Sequence, residues 1–164
     1  MTDIQDRIRD WWDADAEHYD RSAGHTLSDP VEAAAWRAVL LEMLPEAPAR
    51  VLDAGAGTGA MSLLAAELGH RVTSLDLSTA MLAKAETKAK ERGVELAIVV
   101  GSVNEPPAGP FDVVVERHVI WTAEWSTRVW CRRLPSARSA DAVRATRAAR
   151  ARGASPPTRR PGAA

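Results

Sequence analysis

Three glycines at alternate positions follow a short apolar stretch and an acidic residue in segment 51–59, Val-Leu-Asp-Ala-Gly-Ala-Gly-Thr-Gly. Glycine lacks a Cβ atom, so it adopts positive φ angles and lets a ligand lie against the main chain. A helical pattern begins directly after the turn, and we expect the first amide groups of that helix to face the ligand. The order of strand, tight turn and helix is typical of a nucleotide-binding βαβ unit. A turn with chance glycines is the alternative, which this spacing disfavours.

An aspartate closes the next apolar stretch, since Asp76 lies 17 residues after Gly59. The carboxyl ends of parallel strands line the ligand crevice, and a carboxylate there accepts hydrogen bonds from both hydroxyls of a ribose. Helix capping is the other role open to Asp76. A third apolar stretch leads into loop 101–104, where the backbone and Ser102 are placed to contact an adenine. The segment 116–118, Glu-Arg-His, ends a fourth stretch and completes the rim.

Helical and strand patterns alternate through the first two thirds of the chain, and the links between them are short. Apolar runs such as Ala-Ile-Val-Val and Val-Val-Val are typical of parallel strands that are buried on both faces. The patterns predict helices over 3–17, 30–44, 60–68 and 79–92, and strands over 50–52, 71–75, 95–100 and 111–115. We therefore predict an α/β fold with a doubly wound, mostly parallel sheet.

The first predicted helix carries Ile4, Ile8, Trp11 and Trp12 on one face. The simpler interpretation is that the two tryptophans cover the core. The alternative is that Tyr19 and its neighbours form a lid over the ligand, because aromatic rings can shield a bound cation.

Charge divides the chain into two unlike parts. Residues 1–116 hold 10 Lys and Arg against 20 Asp and Glu, whereas residues 117–164 hold 11 Arg against two acidic residues. The total of −1 argues against a nucleic-acid-binding or membrane-surface protein, except through the arginine-rich end. The single cysteine, Cys131, excludes an internal disulfide framework and fits a reducing compartment. No secretory or long apolar segment is visible, so we expect a cytoplasmic protein.

The segments 51–59 and 111–118 (Phe-Asp-Val-Val-Val-Glu-Arg-His), together with Asp76, resemble the class I S-adenosylmethionine-dependent methyltransferases, in particular small-molecule enzymes of bacterial type. The resemblance covers roughly residues 10–121. It implies a Rossmann-like sheet, S-adenosylmethionine as cofactor, and methyl transfer to a nucleophilic O, N or C atom of a small molecule. The reaction needs mainly positioning and the exclusion of water, because this cofactor already carries an activated methyl group.

The resemblance also implies which residues contact the cofactor. The methionine portion is held by Asp53, Gly55, Ala56 and Gly57. The ribose hydroxyls bind Asp76, and the adenine is flanked by Leu77 and meets Ser102 and Val103 at its edge. The family often has an acidic residue at the position of Ser102.

The methyl group is expected near Glu116 and His118, and the substrate is expected to contact Tyr19 and His118. A general base is optional in this chemistry, and His118 is its nearest candidate; a structural rim residue is the alternative. We assign no catalytic residue and expect no metal. The sequence leaves the oligomeric state and the acceptor atom open.

The sequence departs from the family beyond Trp121, so that the C-terminal strands of the sheet are expected to be missing. We divide the chain into a cofactor-binding domain (1–121), a short helical or irregular segment (122–135) and an Ala/Arg-rich tail (136–164). The tail has 10 Ala and 7 Arg in 29 residues, a composition that cannot form central strands. Our hypothesis is a change of reading frame near residue 122, because a GC-rich gene read out of frame gives Ala, Arg, Pro and Ser. A genuine basic tail is the alternative.

Two other functions fit parts of the sequence. Gly55, Gly57 and Ala60 satisfy the looser G-x-G-x-x-A pattern of an NAD(P)-dependent oxidoreductase, although Tyr19 is the only tyrosine and no Tyr-x-x-x-Lys pair exists. A non-catalytic fragment with a nucleic-acid-binding tail is the second alternative.

Overall fold

The computed structural model describes residues 3–22, 24–117 and 119. Four helices and four strands occupy this part of the chain. In order they are α1 (Asp3–Tyr19), α2 (Pro30–Met43), β1 (Arg50–Ala54), α3 (Ala60–Glu67), β2 (Arg71–Asp76), α4 (Thr79–Arg92), β3 (Leu96–Val100) and β4 (Val113–Glu116). Every element that the sequence predicts within these residues is present, with ends that shift by one or two residues. The predicted segment 122–135, the tail 136–164 and His118 lie outside the described residues.

The four strands form one sheet in the order β3-β2-β1-β4, and each neighbouring pair is parallel. The order reverses beside β1, which is the switch point at which α/β sheets bind ligands. The register places Asp53 beside Ser74 and Ala54 beside Glu116, so all four strands end at one edge. This topology confirms the predicted doubly wound, parallel sheet.

Two apolar clusters cover the faces of the sheet. Val51 belongs to the cluster beneath α2 and α3, whereas its neighbour Leu52 belongs to the cluster on the other face. Both side chains are fully buried, because α2 and α3 cover one face of β1 and Val103 and Phe111, from the connection between β3 and β4, cover the other. Burial on both faces explains why this strand is apolar without alternation.

The helix ends follow the signals in the sequence. The Asp29 carboxylate accepts a hydrogen bond from the Val31 amide at the start of α2, where Pro30 occupies the first turn. The Ser78 hydroxyl accepts one from the Met81 amide at the start of α4, which ends at the left-handed Gly93.

One prediction for the first helix is wrong. Ile4 and Trp11 are 67% and 59% exposed, so they do not share a face with Ile8 and Trp12, which are half-buried. The helix also continues to Tyr19. Its extra turn brings the tyrosine to the carboxyl edge of the sheet, where Ile8 and Trp12 also lie.

Candidate functional site

The glycine turn joins β1 to α3 at the carboxyl edge of the sheet. Gly55, Gly57 and Gly59 all have positive φ angles, of 74°, 53° and 87°. The amides of Gly55 and Ala56 both donate to the Leu75 carbonyl, over 2.8 and 3.0 Å, and the Gly59 amide donates to the Ala56 carbonyl. These three amides are thus bonded to the protein itself, and the expectation that the first amides of α3 face the ligand stays a prediction. The contribution of the turn is its bare Cα atoms, which let a ligand approach closely.

The Asp76 side chain is bonded directly to this turn. Its Oδ2 atom accepts from the Gly57 amide over 2.8 Å, and its Oδ1 atom accepts from the Ser78 amide over 2.9 Å. Burial raises the pKa of this carboxyl group, and the backbone donors at Ser78 and Gly57 act in the opposite direction. A carboxylate offers about four acceptor positions, so both oxygens retain capacity for ligand hydroxyls. Capping of the Ser78 amide and ligand binding are thus compatible roles.

A cavity of about 370 Å³ opens beside this pair of residues. Its wall combines the ends of the four strands with one face of α1. Seven of the residues predicted for the site line it, namely Tyr19, Gly55, Gly57, Asp76, Leu77, Ser102 and Val103. The glycine turn, Asp76 and the loop after β3 therefore line one cavity, as the sequence predicts.

Asp53 and Ala56 line a separate, much smaller pocket of about 20 Å³ on the other side of Gly55. Asp53 is only 2% exposed, and its Oδ2 atom accepts from the Ser62 hydroxyl over 2.6 Å. The Ser62 hydroxyl also lies 2.7 Å from that of Ser74. Burial raises the pKa of Asp53 to about 6, because the interior disfavours its charged form.

Glu116 lines neither of these two pockets. Its Oε2 atom accepts from the Val119 amide over 3.3 Å, which closes a turn after β4. That turn places the Val119 side chain against the glycine turn, since its Cγ2 atom would lie 2.0 Å from a Cβ atom at Gly55. Glu116 thus helps to shape the rim, and its expected place near the methyl group stays a prediction.

The loop after β3 (residues 101–104) is hydrogen-bonded to the first helix. The buried Ser102 hydroxyl accepts from the Gln5 amide group over 3.2 Å and from the Asn104 backbone amide over 3.2 Å. Gln5 is 97 positions away in sequence, so the local pattern gave no signal for this contact.

The end of α1 forms the opposite wall. The Tyr19 ring stacks on His25, with ring centroids 4.2 Å apart, and the His25 Nδ1 atom donates to the Tyr19 carbonyl over 2.9 Å. Burial raises the pKa of the Tyr19 hydroxyl. Asp20 accepts a hydrogen bond from the Thr58 hydroxyl over 2.6 Å and forms an ion pair with Lys88 over 2.6 Å. Tyr19 thus lines the cavity, and its neighbour Asp20 links this end of α1 to the glycine turn, whereas a lid over the ligand stays a prediction.

Arg117 is a site residue that the sequence analysis missed. It follows β4 directly and lines both the large cavity and the small pocket. The signal was available in the segment 116–118, because a residue directly after a central strand lies at the ligand edge. Among the described residues, no group of three or more His, Cys, Asp or Glu is arranged to hold a metal ion.

A parallel sheet with a glycine turn after β1 and a carboxylate at the end of β2 is common to the class I S-adenosylmethionine-dependent methyltransferases and the dinucleotide-binding Rossmann proteins, and comparison with known families decides between the two classes. The family model described as a methyltransferase domain matches residues 51–136, and the chain belongs to this family. The predicted class and its cofactor, S-adenosylmethionine, are confirmed. The match extends beyond Trp121, where the sequence analysis places the departure from the family.

Two curated relatives illustrate the likeness. Ubiquinone biosynthesis O-methyltransferase of Xanthomonas axonopodis pv. citri is 37% identical over 107 residues, which are 63% of this chain and 41% of that protein. The tRNA 5-carboxymethoxyuridine methyltransferase of Escherichia coli K12 is 39% identical over 95 residues, which are 56% of this chain and 35% of that protein. The chain thus spans less than half the length of these relatives.

A solved structure shares the fold. The crystal structure of magnesium protoporphyrin IX methyltransferase from Synechocystis PCC 6803 with bound S-adenosylmethionine superposes with a TM-score of 0.57 and 21% identity. The alignment covers 73% of this chain and 64% of that one. The comparisons support neither an NAD(P)-dependent oxidoreductase nor a non-catalytic nucleic-acid-binding fragment. No helix in the described ranges is both long and apolar enough to cross a bilayer.

Proposed function

We propose that this chain binds S-adenosylmethionine in the 370 Å³ cavity and belongs to an enzyme that methylates a nucleophilic O, N or C atom of a small molecule. The observation that carries the proposal is the 2.8 Å hydrogen bond from the Gly57 amide to Asp76 within that cavity. This bond brings the glycine backbone, which has no Cβ atoms, next to a carboxylate that can still accept hydrogen bonds. Both lie at the carboxyl edge of the sheet. The methionine portion of the cofactor can lie against the main chain, and its ribose hydroxyls can donate to the carboxylate.

The order of residues along the edge supports the assignment of each ligand part. Ser102 and Val103 follow β3 and would contact the adenine edge, with Leu77 against its face. Asp76 ends β2 and would accept from the ribose hydroxyls. Gly55 and Gly57 follow β1 and would lie against the methionine portion, with Ala56 and Asp53 behind them.

The cofactor supplies an activated methyl group on its sulfonium sulfur, so the protein need only position the acceptor and exclude water. In the described part of the chain, Tyr19 and Trp12 are suited to that task, because their rings wall the cavity beside the glycine turn. Glu116 would act indirectly, through the turn that holds Val119. We assign no general base, and His118 stays a prediction because it lies outside the described residues.

A small-molecule substrate fits the acidic net charge of residues 1–116 better than a nucleic acid does. Residues 1–116 carry twice as many acidic as basic residues, which repels a polyanion. One curated relative is named for ubiquinone biosynthesis and another for a tRNA, so relatives of both kinds exist.

We also propose that the cofactor-binding domain ends near residue 121 and that residues 136–164 form an Ala/Arg-rich tail. The support is the change from acidic to arginine-rich composition at residue 117. Our hypothesis for this change remains a shift of reading frame near residue 122. Sequencing the source gene tests it: conserved strand patterns hidden in another frame are expected, and their absence would reject the hypothesis.

The direct test of cofactor binding is calorimetric titration of the full chain with S-adenosylhomocysteine and, separately, with NAD. We expect S-adenosylhomocysteine to bind with one site per chain and to raise the midpoint of thermal unfolding, since it binds only the folded state. A cooperative unfolding curve without any response to S-adenosylhomocysteine would overturn the proposal. Binding of NAD alone would restore the oxidoreductase alternative.

A further inference from the structure

The cavity carries two opposite charges on its described walls. Apart from His25, the residues that line the cavity include one acidic residue, Asp76, and one basic residue, Arg117. Asp76 ends β2 and Arg117 follows β4, and these strands lie on either side of β1. A ligand along this edge therefore meets a hydrogen-bond acceptor first and a cation further on.

The strand order sets the distance that such a ligand spans. Ser102 follows β3 and Arg117 follows β4, and these are the two outer strands of the described sheet. Neighbouring strands lie about 4.8 Å apart, so the three intervals amount to roughly 14 Å. The sequence of sites along the edge is adenine loop, ribose carboxylate, glycine turn and guanidinium. An extended adenosyl amino acid presents adenine, ribose, sulfur and carboxylate in the same order.

The Arg117 guanidinium has little else to bind in the described part of the chain. Its Nη2 atom donates to the His25 carbonyl over 2.9 Å, and its Cζ atom lies 5.7 Å from the centre of the Trp36 ring. None of the ion pairs among the described residues includes it. A guanidinium has five N–H donors, so most of them remain for a ligand. The two contacts hold the side chain in place, so less side-chain entropy is lost when a ligand binds.

We propose that Arg117 binds the α-carboxylate of the amino-acid portion of the cofactor. This inference rests on the proposed function. Arginine is suited to the task because its planar guanidinium forms paired, charge-assisted hydrogen bonds with a carboxylate. The position beside Gly55, where the small pocket and the large cavity are both lined by Arg117, is where the methionine portion is expected to end.

The competing role for Arg117 is structural, since it also connects the end of β4 with Trp36 of α2 and with the loop at His25. Two ligands distinguish these roles. S-adenosylhomocysteine contains the amino-acid portion, whereas 5′-methylthioadenosine has the same adenosyl thioether without it. A carboxylate contact affects only the first ligand, and a structural role affects both.

The experiment is calorimetric titration of the full chain and its Arg117→Gln variant with both ligands. We expect the variant to bind S-adenosylhomocysteine roughly 10- to 100-fold more weakly, because a hydrogen bond to a charged group is lost. Its affinity for 5′-methylthioadenosine should stay within about threefold, which also shows that the variant is folded. Arg117→Lys should lie between, since it keeps the charge and loses the paired geometry. Arg92→Gln, on the outer side of α4 and paired with Glu67, is the matched control and should change neither affinity.

Equal weakening for both ligands, or no weakening for either, would overturn the assignment of Arg117. If Arg117→Gln does not fold, the same comparison is made with Arg117→Lys, which should still weaken S-adenosylhomocysteine alone. Failure of the unchanged chain to bind S-adenosylhomocysteine would instead count against the proposed function, so the two outcomes remain distinct.

Discussion

The backbone amide of Gly57 donates a 2.8 Å hydrogen bond to the carboxylate of Asp76, 19 residues further along the chain. Through this bond the glycine turn and the end of β2 form one rigid unit. The Leu75 carbonyl reinforces it by accepting from both Gly55 and Ala56. The two features that the sequence displays separately are therefore parts of a single ligand platform.

Replacement of Asp76 by alanine should weaken binding of S-adenosylhomocysteine by roughly 1.5–3 kcal/mol, because hydrogen bonds from the ribose to a charged group are lost. It also leaves the Gly57 and Ser78 amides without their acceptor, so the free energy of unfolding should fall. Calorimetry and urea unfolding measure the two effects. Glu86→Ala, an exposed residue paired with Lys90, is the control. Unchanged ligand affinity in Asp76→Ala would remove this residue from the site.

Replacement of Gly59 by alanine should destabilise the fold more than the same change at Gly93. Both residues have positive φ angles, which cost an alanine about 1–2 kcal/mol. A Cβ atom at Gly59 would lie 2.8 Å from the Cβ atom and 3.3 Å from the Cα atom of Ala85, whereas none of the described atoms lies within 4 Å at Gly93. The crowding should add about 1–3 kcal/mol. Urea unfolding of both variants measures the difference, and equal losses would show that α4 shifts freely.

Replacement of Asp53 by asparagine should change how stability depends on pH. The folded chain holds the Asp53 proton up to a pKa of about 6, whereas the ordinary value is 3.8. Between about pH 4 and 6 the folded state therefore binds more protons than the unfolded state, and this residue makes the free energy of unfolding fall as pH rises. Asparagine removes that dependence, so the variant should gain on the order of 2–3 kcal/mol relative to the original chain between those limits.

Urea unfolding at about pH 4 and about pH 7 measures the gain, and Asp112→Asn is its control. The Arg50 side chain and backbone lower the pKa of Asp112 to about 2 by hydrogen bonding. That stabilisation is complete above the ordinary pKa of 3.8 and is lost as pH falls toward 2, so this variant should leave the window above pH 4 unchanged. An identical pH dependence in Asp53→Asn and the original chain would mean that Asp53 is ionised in the fold.

The sequence predicts the fold well because its signals are local. Asp29 and Ser78 cap helices that begin one or two residues later, and Gly93 ends a helix through its own φ angle. The apolar run of β1 reflects the burial of a parallel strand, which indicates the fold class without knowledge of the neighbours. The runs of β3 and β4, which the sequence predicts to be buried on both faces, are instead partly exposed in the described part of the chain, and Val100 is 55% exposed.

The details of the site were less accessible because they depend on distant partners. The amides of the glycine turn bind the Leu75 carbonyl, which belongs to the neighbouring strand. The contact between Gln5 and Ser102 joins the two ends of the described chain. The helical spacing of Trp11 predicts an inward-facing side chain, yet Trp11 is exposed, and Trp12 lines the cavity instead. The packing of α1 on α4, which the sequence does not display, determines which of these two tryptophans faces the cavity.

Replacement of Asp13 by alanine should loosen α1 and thereby weaken ligand binding. The Asp13 Oδ1 atom accepts from the Ser78 hydroxyl over 2.5 Å and from the Ala80 amide over 3.1 Å, which ties α1 to the start of α4. Loss of these bonds should cost about 1–2 kcal/mol of stability. The affinity for S-adenosylhomocysteine should fall as well, because α1 supplies Trp12 and Tyr19 to the cavity.

Removal of the Asp13 charge, without any displacement of α1, would instead strengthen ligand binding. Besides burial, the charge of Asp13 raises the pKa of Asp76, so its removal favours the ionised form of the ribose-binding carboxylate. A weaker affinity in Asp13→Ala therefore reports the displacement of α1. Asp10→Ala is the matched control, because Asp10 lies on the same helix and bonds only to its neighbour Arg9. Equal affinity and stability in the two variants would mean that α1 keeps its place over the cavity without its link to α4.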